Sequence, residues 1–384
     1  MAHETPAGLS RRAFGLMMGA GALGACATTQ GPSPRGLAGP ARLSPFRMTA
    51  DRVIGVKVGL RPYRPSGFVV RGEALGGKRL VHNYGHGGAG ITLSWGISHL
   101  AVDMGFAGAG RPHAVIGCGA VGLATARLLQ RRGGRVTIYA EHLPPHTTSN
   151  IAGGQWWPSW AFENDAVDAV FLAQFHKAAR LSYGHFQTLV GSTYGVSWRR
   201  NYYLDDERKD FGPFSQSLAD VAPEMAVLEP GSHPFGNRWV QRRTSMQIEP
   251  AVYLQALTED FLTAGGRIEV RRFEAPQQLG ALSENVIFNC TGLGARGLFG
   301  DTAMIPARGQ LLVFLPQPEL DYNVFYGASH MFPRSDGVLA GGTFDRDNWS
   351  LDPDPAVTAR IIAGAAKTAA TLTGPAPQRR AAAA

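Results

Sequence analysis

The sequence predicts an α/β fold in two lobes, and three observations carry that prediction. Residues 113–141 read as strand, glycine turn, helix and second strand, in the order and spacing of a dinucleotide-binding unit. Residues 82–104 hold a second glycine-rich loop, with Gly85, Gly87, Gly88 and Gly90, that turns apolar and helical. The chain has 384 residues and is 44% hydrophobic, enough for a sizeable core and more than one lobe.

Charge and cysteine content narrow the class. The net charge is +8, but the arginine pairs (Arg131/Arg132, Arg199/Arg200, Arg271/Arg272) are scattered rather than clustered, so a nucleic-acid footprint is not expected. A generally basic surface, with weak attraction to anionic lipid, fits better. The cysteines are Cys26, Cys118 and Cys290; each has its own explanation, and no disulfide or metal site is expected.

Residues 1–45 read as export and tether. Ser10-Arg11-Arg12-Ala13-Phe14 resembles a twin-arginine signal, and Leu23-Gly24-Ala25-Cys26 resembles a lipobox in which Cys26 is lipidated. The apolar run between them is too short and glycine-rich for a membrane span. Residues 27–45, rich in Pro, Gly, Ser and Thr, form a flexible spacer. Next, the apolar alternation Val53, Ile54, Val56, Val58 leads to Arg61 and Arg64, three apart in a proline-fixed loop. Such a pair can present a guanidinium fork to a carboxylate.

In the loop at 82–92, glycines permit close backbone approach to a ligand, and the helix that follows aims its free N–H groups at it. His113–Ile116 is the first strand of the nucleotide unit, Gly117-Cys118-Gly119-Ala120-Val121-Gly122 the fingerprint, Leu123–Arg132 the helix and Arg135–Ala140 the second strand. Gly117 makes the turn, Gly119 lets a pyrophosphate approach, Gly122 lets helix pack on strand, and Glu141 can bind the ribose hydroxyls. Thr147, Thr148 and Ser149 then offer hydroxyls. Helical periodicity covers Ala166–Leu189, and Asp205–Asp210 is a charged loop. Further on come a helix at Pro250–Leu262, a strand at Arg267–Phe273 and a buried strand Val286–Asn289 before Cys290. An apolar strand follows Arg308-Gly309-Gln310, and a last helix spans Ala356–Leu372.

Gly59-Leu60-Arg61-Pro62-Tyr63-Arg64-Pro65, the loop His82–Thr92 and Ser94-Trp95-Gly96 together closely resemble the C-terminal signature of the D-amino-acid oxidase and D-aspartate oxidase family. In that family the signature closes the chain. Here it precedes the fingerprint, so the sequence resembles a circular permutant with the old termini fused at 105–112, and termini that lie close together allow this. The resemblance implies an FAD-binding Rossmann-like domain (75–158 and 247–301) plus a substrate domain with a mainly antiparallel sheet (46–74, 159–246 and 302–374), and a disordered tail at 375–384.

The resemblance also implies roles. Pro144–Trp156 resembles the family's segment between adenosine and flavin, which selects FAD, with Gly153, Gly154 and Gln155 against the isoalloxazine. Gly87, Gly90, Ile91 and Thr92 lie along the flavin's pyrimidine edge, where a helix N-terminus stabilises negative charge. Arg61 grips the substrate carboxylate with Arg64 and Arg71 in support, and the Gly88 carbonyl accepts from the amine. Tyr326 stands at the lid tyrosine. His330 departs from the pattern, replacing a second tyrosine with an imidazole that, if charged, favours an acidic side chain or a different substrate altogether. The implied reaction is oxidation of a D-amino acid by hydride transfer to flavin N5. The imino acid hydrolyses to a 2-oxo acid and ammonia, and oxygen yields hydrogen peroxide. Two alternatives stay open: a dehydrogenase of the same fold that passes electrons to a membrane quinone, and a non-catalytic flavin-fold binding protein of the envelope.

Overall fold

The computed structural model describes residues 43–372. The twin-arginine pair, Cys26 and the C-terminal tail therefore lie outside the described residues. Within them, two sheets divide the work.

The first half of the described chain runs β1 (Val53–Tyr63), β2 (Val69–Leu75), β3 (Lys78–Tyr84), α1 (Gly90–Gly105), β4 (Pro112–Ile116), α2 (Ala120–Arg131), β5 (Arg135–Ala140) and α3 (Ala169–Gln187). Then follow β6 (Val196–Asp205), α4 (Pro213–Gln216), β7 (Ala226–Leu228), β8 (Trp239–Ile248), α5 (Pro250–Thr263), β9 (Arg267–Val270), α6 (Pro276–Gly280), β10 (Val286–Asn289) and α7 (Gly294–Phe299). The chain ends with β11 (Ile305–Phe314), β12 (Tyr322–Tyr326), β13 (Ser329–Arg334), β14 (Gly337–Gly341), β15 (Asp345–Arg346) and α8 (Pro355–Ala369).

The six-stranded sheet has the order β2-β3-β10-β4-β5-β9. All its pairs are parallel except β2 with β3. A parallel sheet is covered on both faces, which is why His113–Ile116 and Val286–Asn289 are buried along their length. Helices α1, α2, α3 and α5 supply one apolar face, through residues such as Trp95, Leu123, Phe175 and Leu257. On the other face Leu279 and Leu298, from α6 and α7, pack on Leu80, Ala114 and Ile287. Strand β2, placed with the substrate half from sequence, pairs instead with β3 in this sheet.

The second sheet has the order β1-β11-β14-β13-β12-β6-β8-β7, with β15 also on β11. Its pairs are antiparallel apart from β12 with β6. Strand β1 runs straight through Arg61-Pro62 to Tyr63, so Arg61 stands on a strand and not in the proline-fixed loop expected from sequence. Proline is tolerated there because β1 is an edge strand with one pairing side. Helix α8 lies on the far face of this sheet, its N-terminus capped by the Asp354 carboxylate, which accepts from Ala356 N (2.8 Å) and Val357 N (3.3 Å). Phe46 and Met48 share the apolar cluster under α8, and Leu43 and Leu372 pack against it. Both ends of the described chain thus pack on the same cluster.

Candidate active site

A cavity of about 570 Å³ runs between the two sheets. Its long axis is written in its lining, from Glu141 and Arg272 at one end, past Gly117–Val121, to Gly88, Arg61 and His330 at the other.

The nucleotide end is made by backbone. Gly117 has φ of 110°, and a Cβ there would stand 2.5 Å from the Cys290 carbonyl oxygen. A Cβ on Gly122 would stand 2.0 Å from the Gly117 carbonyl, so β4 and α2 can meet at this angle only without one. At Gly119 the nearest atom is Ser149 Oγ at 3.1 Å, and the remaining space is open to the cavity. No side chain caps α2 at Gly119, and of its first-turn donors Ala120 N is bonded, to Ser149 Oγ at 3.1 Å. Ala120 and Val121 line the cavity with the glycines. Thr147 turns its hydroxyl to Asn150 Oδ1 (2.8 Å), while Thr148 begins a short turn on the cavity wall. Glu141 receives Arg272 Nη1 at 3.0 Å. Cys118 and Cys290 are buried, their thiols pushed up to about 12 by desolvation, which makes them inert packing.

In the middle, the N-terminus of α1 opens onto the cavity through Gly90, Ile91 and Thr92, with no side-chain cap to compete for its donors. Thr92 Oγ1 donates to the Gln155 carbonyl at 3.4 Å, and Gln155 Nε2 donates to Asn201 Oδ1 (2.7 Å) and Tyr203 Oη (2.8 Å). The glycines before Gln155 have a packing reason beside the one expected. A Cβ on Gly154 would meet the Ile248 carbonyl at 1.9 Å, and one on Gly153 would meet the Phe332 ring at 2.8 Å. Gln247 Nε2 holds the Gly153 carbonyl at 2.8 Å.

At the far end, Arg61 enters the cavity over Gly309, where a Cβ would collide with its guanidinium at 2.3 Å. Arg61 Nη1 donates to the Thr343 carbonyl at 3.1 Å. Burial pulls its pKa down and the Asp345 charge works against that, yet Asp345 pairs with Arg308 (3.5 Å) and not with Arg61. The guanidinium, always protonated, keeps donors free of any carboxylate among the described residues. Gly87, with φ of 55°, and Gly88 fold against Trp160, whose carbonyl accepts from Gly88 N at 2.9 Å.

His330 lines this end, stacked on Phe332 (4.6 Å, 25°). Burial, assisted by the positive charge of Arg61, pushes it down to about 4. It is therefore neutral at neutral pH, and the charged imidazole expected to favour an acidic side chain is not available. His86, at the root of the loop, is likewise held neutral by burial, at about 3.

Three expected residues stand elsewhere. Tyr326 does not line the cavity: its hydroxyl donates to Asp206 Oδ1 at 3.0 Å, and its ring lies between Arg238 (4.9 Å) and Lys367 (5.0 Å). The cause is strand parity. In the β12–β13 hairpin Phe325 pairs with His330 and Tyr326 with Ser329, so Phe325 and His330 share the cavity face while Tyr326 faces the side of α8. Arg64 does not join Arg61 in a fork; it pairs with Asp301 at 3.1 Å outside the cavity. Arg71 pairs with Glu73 at 3.1 Å on exposed β2. Sequence reasoning in turn missed Trp157, Trp160, Phe325 and Phe332. A signal existed for the first two: three of the chain's seven tryptophans fall within 156–160.

An extended cleft with a glycine cradle whose Gly117 and Gly122 admit no Cβ, two helix N-termini opening onto it and a carboxylate at one end fits FAD. Gly117–Gly122 would hold the pyrophosphate, Glu141 the ribose, and Gln155 with Gly90–Thr92 the flavin.

Comparison with known proteins agrees. The family profile described as DAO, FAD dependent oxidoreductase, matches residues 113–382. A D-amino-acid oxidase of Streptomyces coelicolor is 32% identical over 256 residues, covering 65% of this chain and 74% of that protein. The D-aspartate oxidase of Homo sapiens is 29% identical over 260 residues, covering 65% and 73%. Among solved structures, a glycine oxidase of Bacillus cereus superposes with a TM-score of 0.50 at 13% identity, over 66% of this chain and 77% of that one, a likeness of fold. With the cleft built for the dinucleotide and the profile spanning most of the chain, this protein belongs to the FAD-dependent oxidoreductases of the DAO family.

Proposed function

We propose that the protein oxidises a D-amino acid at Cα, releasing a 2-oxo acid and ammonia. The observation that carries this reading is Arg61: a cation inside the cavity, free of any carboxylate partner among the described residues, at the opposite end from the nucleotide cradle. The resemblance to D-amino-acid and D-aspartate oxidases supports the amine and its handedness.

Bound FAD supplies the two-electron acceptor. The chain supplies placement. The Arg61 fork holds both carboxylate oxygens, which fixes the substrate against rotation. Gly88 presents backbone beside it for the amine. Neutral His330 adds a hydrogen-bonding ring without a second positive charge. The N-terminus of α1 favours negative charge that develops near Thr92. No general base is required, since Cα is oriented and the amine is used in its neutral form.

The test is an anaerobic visible spectrum of the purified protein, with D- and L-isomers of alanine, phenylalanine and aspartate added in turn. Bleaching of the flavin band by D-isomers alone is expected; bleaching by L-isomers alone, or by none, overturns the reading. Peroxide formed per turnover in air then separates an oxidase from a dehydrogenase that uses a quinone.

The same reading includes a permuted order. It is supported by residues 46–104 completing a cavity whose remainder lies within the family match, and by Leu43 and Leu372 packing on one cluster. A chain reopened between 106 and 111, with 372 joined to 43 by a short linker, should fold and retain FAD; an insoluble or flavin-free product counts against the permutation. For the N-terminus the proposal is twin-arginine export and a lipid tether at Cys26. Changing Cys26 to Ser should move the protein from the membrane to the soluble envelope fraction, and wild-type protein found in the cytosol overturns it.

A further inference from the structure

Trp160 is out of place for a residue with only a packing role. The residue is 60% exposed. Its backbone sits at φ of 60°, in the left-handed region that bulky side chains avoid. Strained backbone of this kind collects at ligand clamps. Yet the segment is held firmly. The Trp160 carbonyl accepts from Gly88 N at 2.9 Å, and a Cβ on Gly87 would stand 2.3 Å from the same oxygen. Three residues further on, Glu163 N donates to the Pro65 carbonyl at 2.8 Å, and Glu163 Oε1 accepts from Tyr63 Oη at 2.5 Å.

What the strain accomplishes is visible in the rings. The Trp160 indole lies on the cavity wall and stacks on Phe344, with centroids 4.7 Å apart and planes at 29°. Phe344 in turn has the Arg61 guanidinium 5.6 Å from its ring centre, and Tyr63 packs edge-on at 5.1 Å. One aromatic pair therefore links the backbone at Gly88 to the cation at Arg61. A ligand that reaches both points lies beside that pair. The other cavity-facing groups at this end, Phe325, Phe332 and neutral His330, add no charge that would hold an acidic side chain.

We propose that Trp160 is a specificity-determining residue: its indole, backed by Phe344, forms the wall against which the substrate's side chain packs, and it favours bulky apolar side chains over small ones. This rests on the reading that the cavity takes an amino acid by its carboxylate. It also gives the covering role, which sequence assigned to Tyr326, to a residue on a different segment.

The experiment uses the flavin-loaded protein and two ligands without an amine, 3-phenylpropanoate and propanoate, measured by calorimetry. They share the carboxylate and differ by the phenyl group, and neither can be oxidised as an amine. Wild-type protein is expected to bind the phenyl compound more tightly. Trp160→Gly, whose backbone accepts φ of 60° freely, should lower that preference roughly tenfold, the scale of a lost pocket contact. Propanoate binding and flavin content should stay within about twofold. Trp160→Phe should restore most of the preference. The ratio of kcat/KM for D-phenylalanine over D-alanine should fall in parallel.

An unchanged phenyl preference in Trp160→Gly overturns the proposal. So does an equal loss of both ligands, because the indole would then support the loop and not the side chain. If no D-amino acid bleaches the flavin but the phenyl preference still depends on Trp160, the amine-oxidation reading fails and the aromatic wall stands.

Discussion

The two ends of the cavity are built in different ways. The nucleotide end is made of backbone: Gly117 and Gly122 are fixed by collisions that any Cβ would cause, and two helix N-termini face the cleft. The substrate end is made of side chains carried on strands and one strained loop: Arg61, His330, Phe325 and Trp160. A backbone site depends on residues close in sequence. A side-chain site depends on which face each strand turns inward, and that is settled by pairing partners far away. The first kind should therefore break all at once. The second should change by degrees, one specificity or affinity at a time.

The largest effect is expected at the turn. Gly122→Ala places a methyl group 2.0 Å from the Gly117 carbonyl, so strand and helix must separate. The cost should reach about 3 kcal/mol, the upper range for overpacking. The purified protein should carry little FAD by its absorbance and melt earlier. Gly119→Ala meets only Ser149 Oγ at 3.1 Å, so it should fold and lose affinity for FAD alone. Equal behaviour of the two variants would mean that the collision at Gly122 is not what fixes the turn. Next comes Arg61→Ala, expected to raise KM about a hundredfold, the scale of losing one member of a buried charged pair, with FAD retained. Arg61→Lys should recover part of it, because an ammonium cannot form the fork. A KM unchanged by Arg61→Ala would remove the carboxylate role.

The same contrast explains what could be read from the sequence. The fingerprint, Glu141 and residues of the loop Gly87–Thr92 line the cavity, and local reasoning could single them out because turn, helix start and close approach are properties of neighbouring residues. Arg61 was legible as a residue but not in its setting, since the strand through Pro62 depends on β11. The companion Arg64 was misread because its partner, Asp301, is 237 positions away. Tyr326 and His330 were both placed at the site although they lie on opposite faces. The Gly327-Ala328 turn between them makes a two-residue hairpin in which Tyr326 pairs with Ser329, and recognising that register would have separated them. Trp160 had no local sign beyond the density of tryptophan around it.

His330 gives a smaller and pH-dependent effect. Burial holds its pKa at about 4 in the folded protein, below the ordinary 6.5 of an imidazole. The native state is then favoured fully above pH 6.5, and stability is lost as pH falls from 6.5 towards 4, because the unfolded chain takes up a proton that the folded chain refuses. His330→Gln should flatten that part of the curve of melting temperature against pH. It should not abolish the slope, since His86, held at about 3, titrates in the same sense. Between pH 7 and 8 the variant's kcat/KM profile should keep the wild-type shape. A lost ionisation in that range would mean that His330 is charged in the working enzyme.

The smallest effect is expected at Tyr326. Tyr326→Phe removes the hydroxyl that reaches Asp206 Oδ1 at 3.0 Å, but Asp206 is exposed and also has Arg238 at 3.6 Å. The ring stays, and with it the contacts to Arg238 and Lys367. Stability should drop by no more than about 1 kcal/mol, the usual net value of one exposed hydrogen bond. Catalysis should hardly move, with kcat/KM for any D-amino acid within about twofold of wild type, as for other surface changes remote from a site. The comparison with Trp160→Gly is the sharp one, because both residues compete for the same role at the substrate end. If Tyr326→Phe alters the D-phenylalanine to D-alanine ratio and Trp160→Gly does not, then the side chain is read at β12 and the aromatic wall at Trp160 falls.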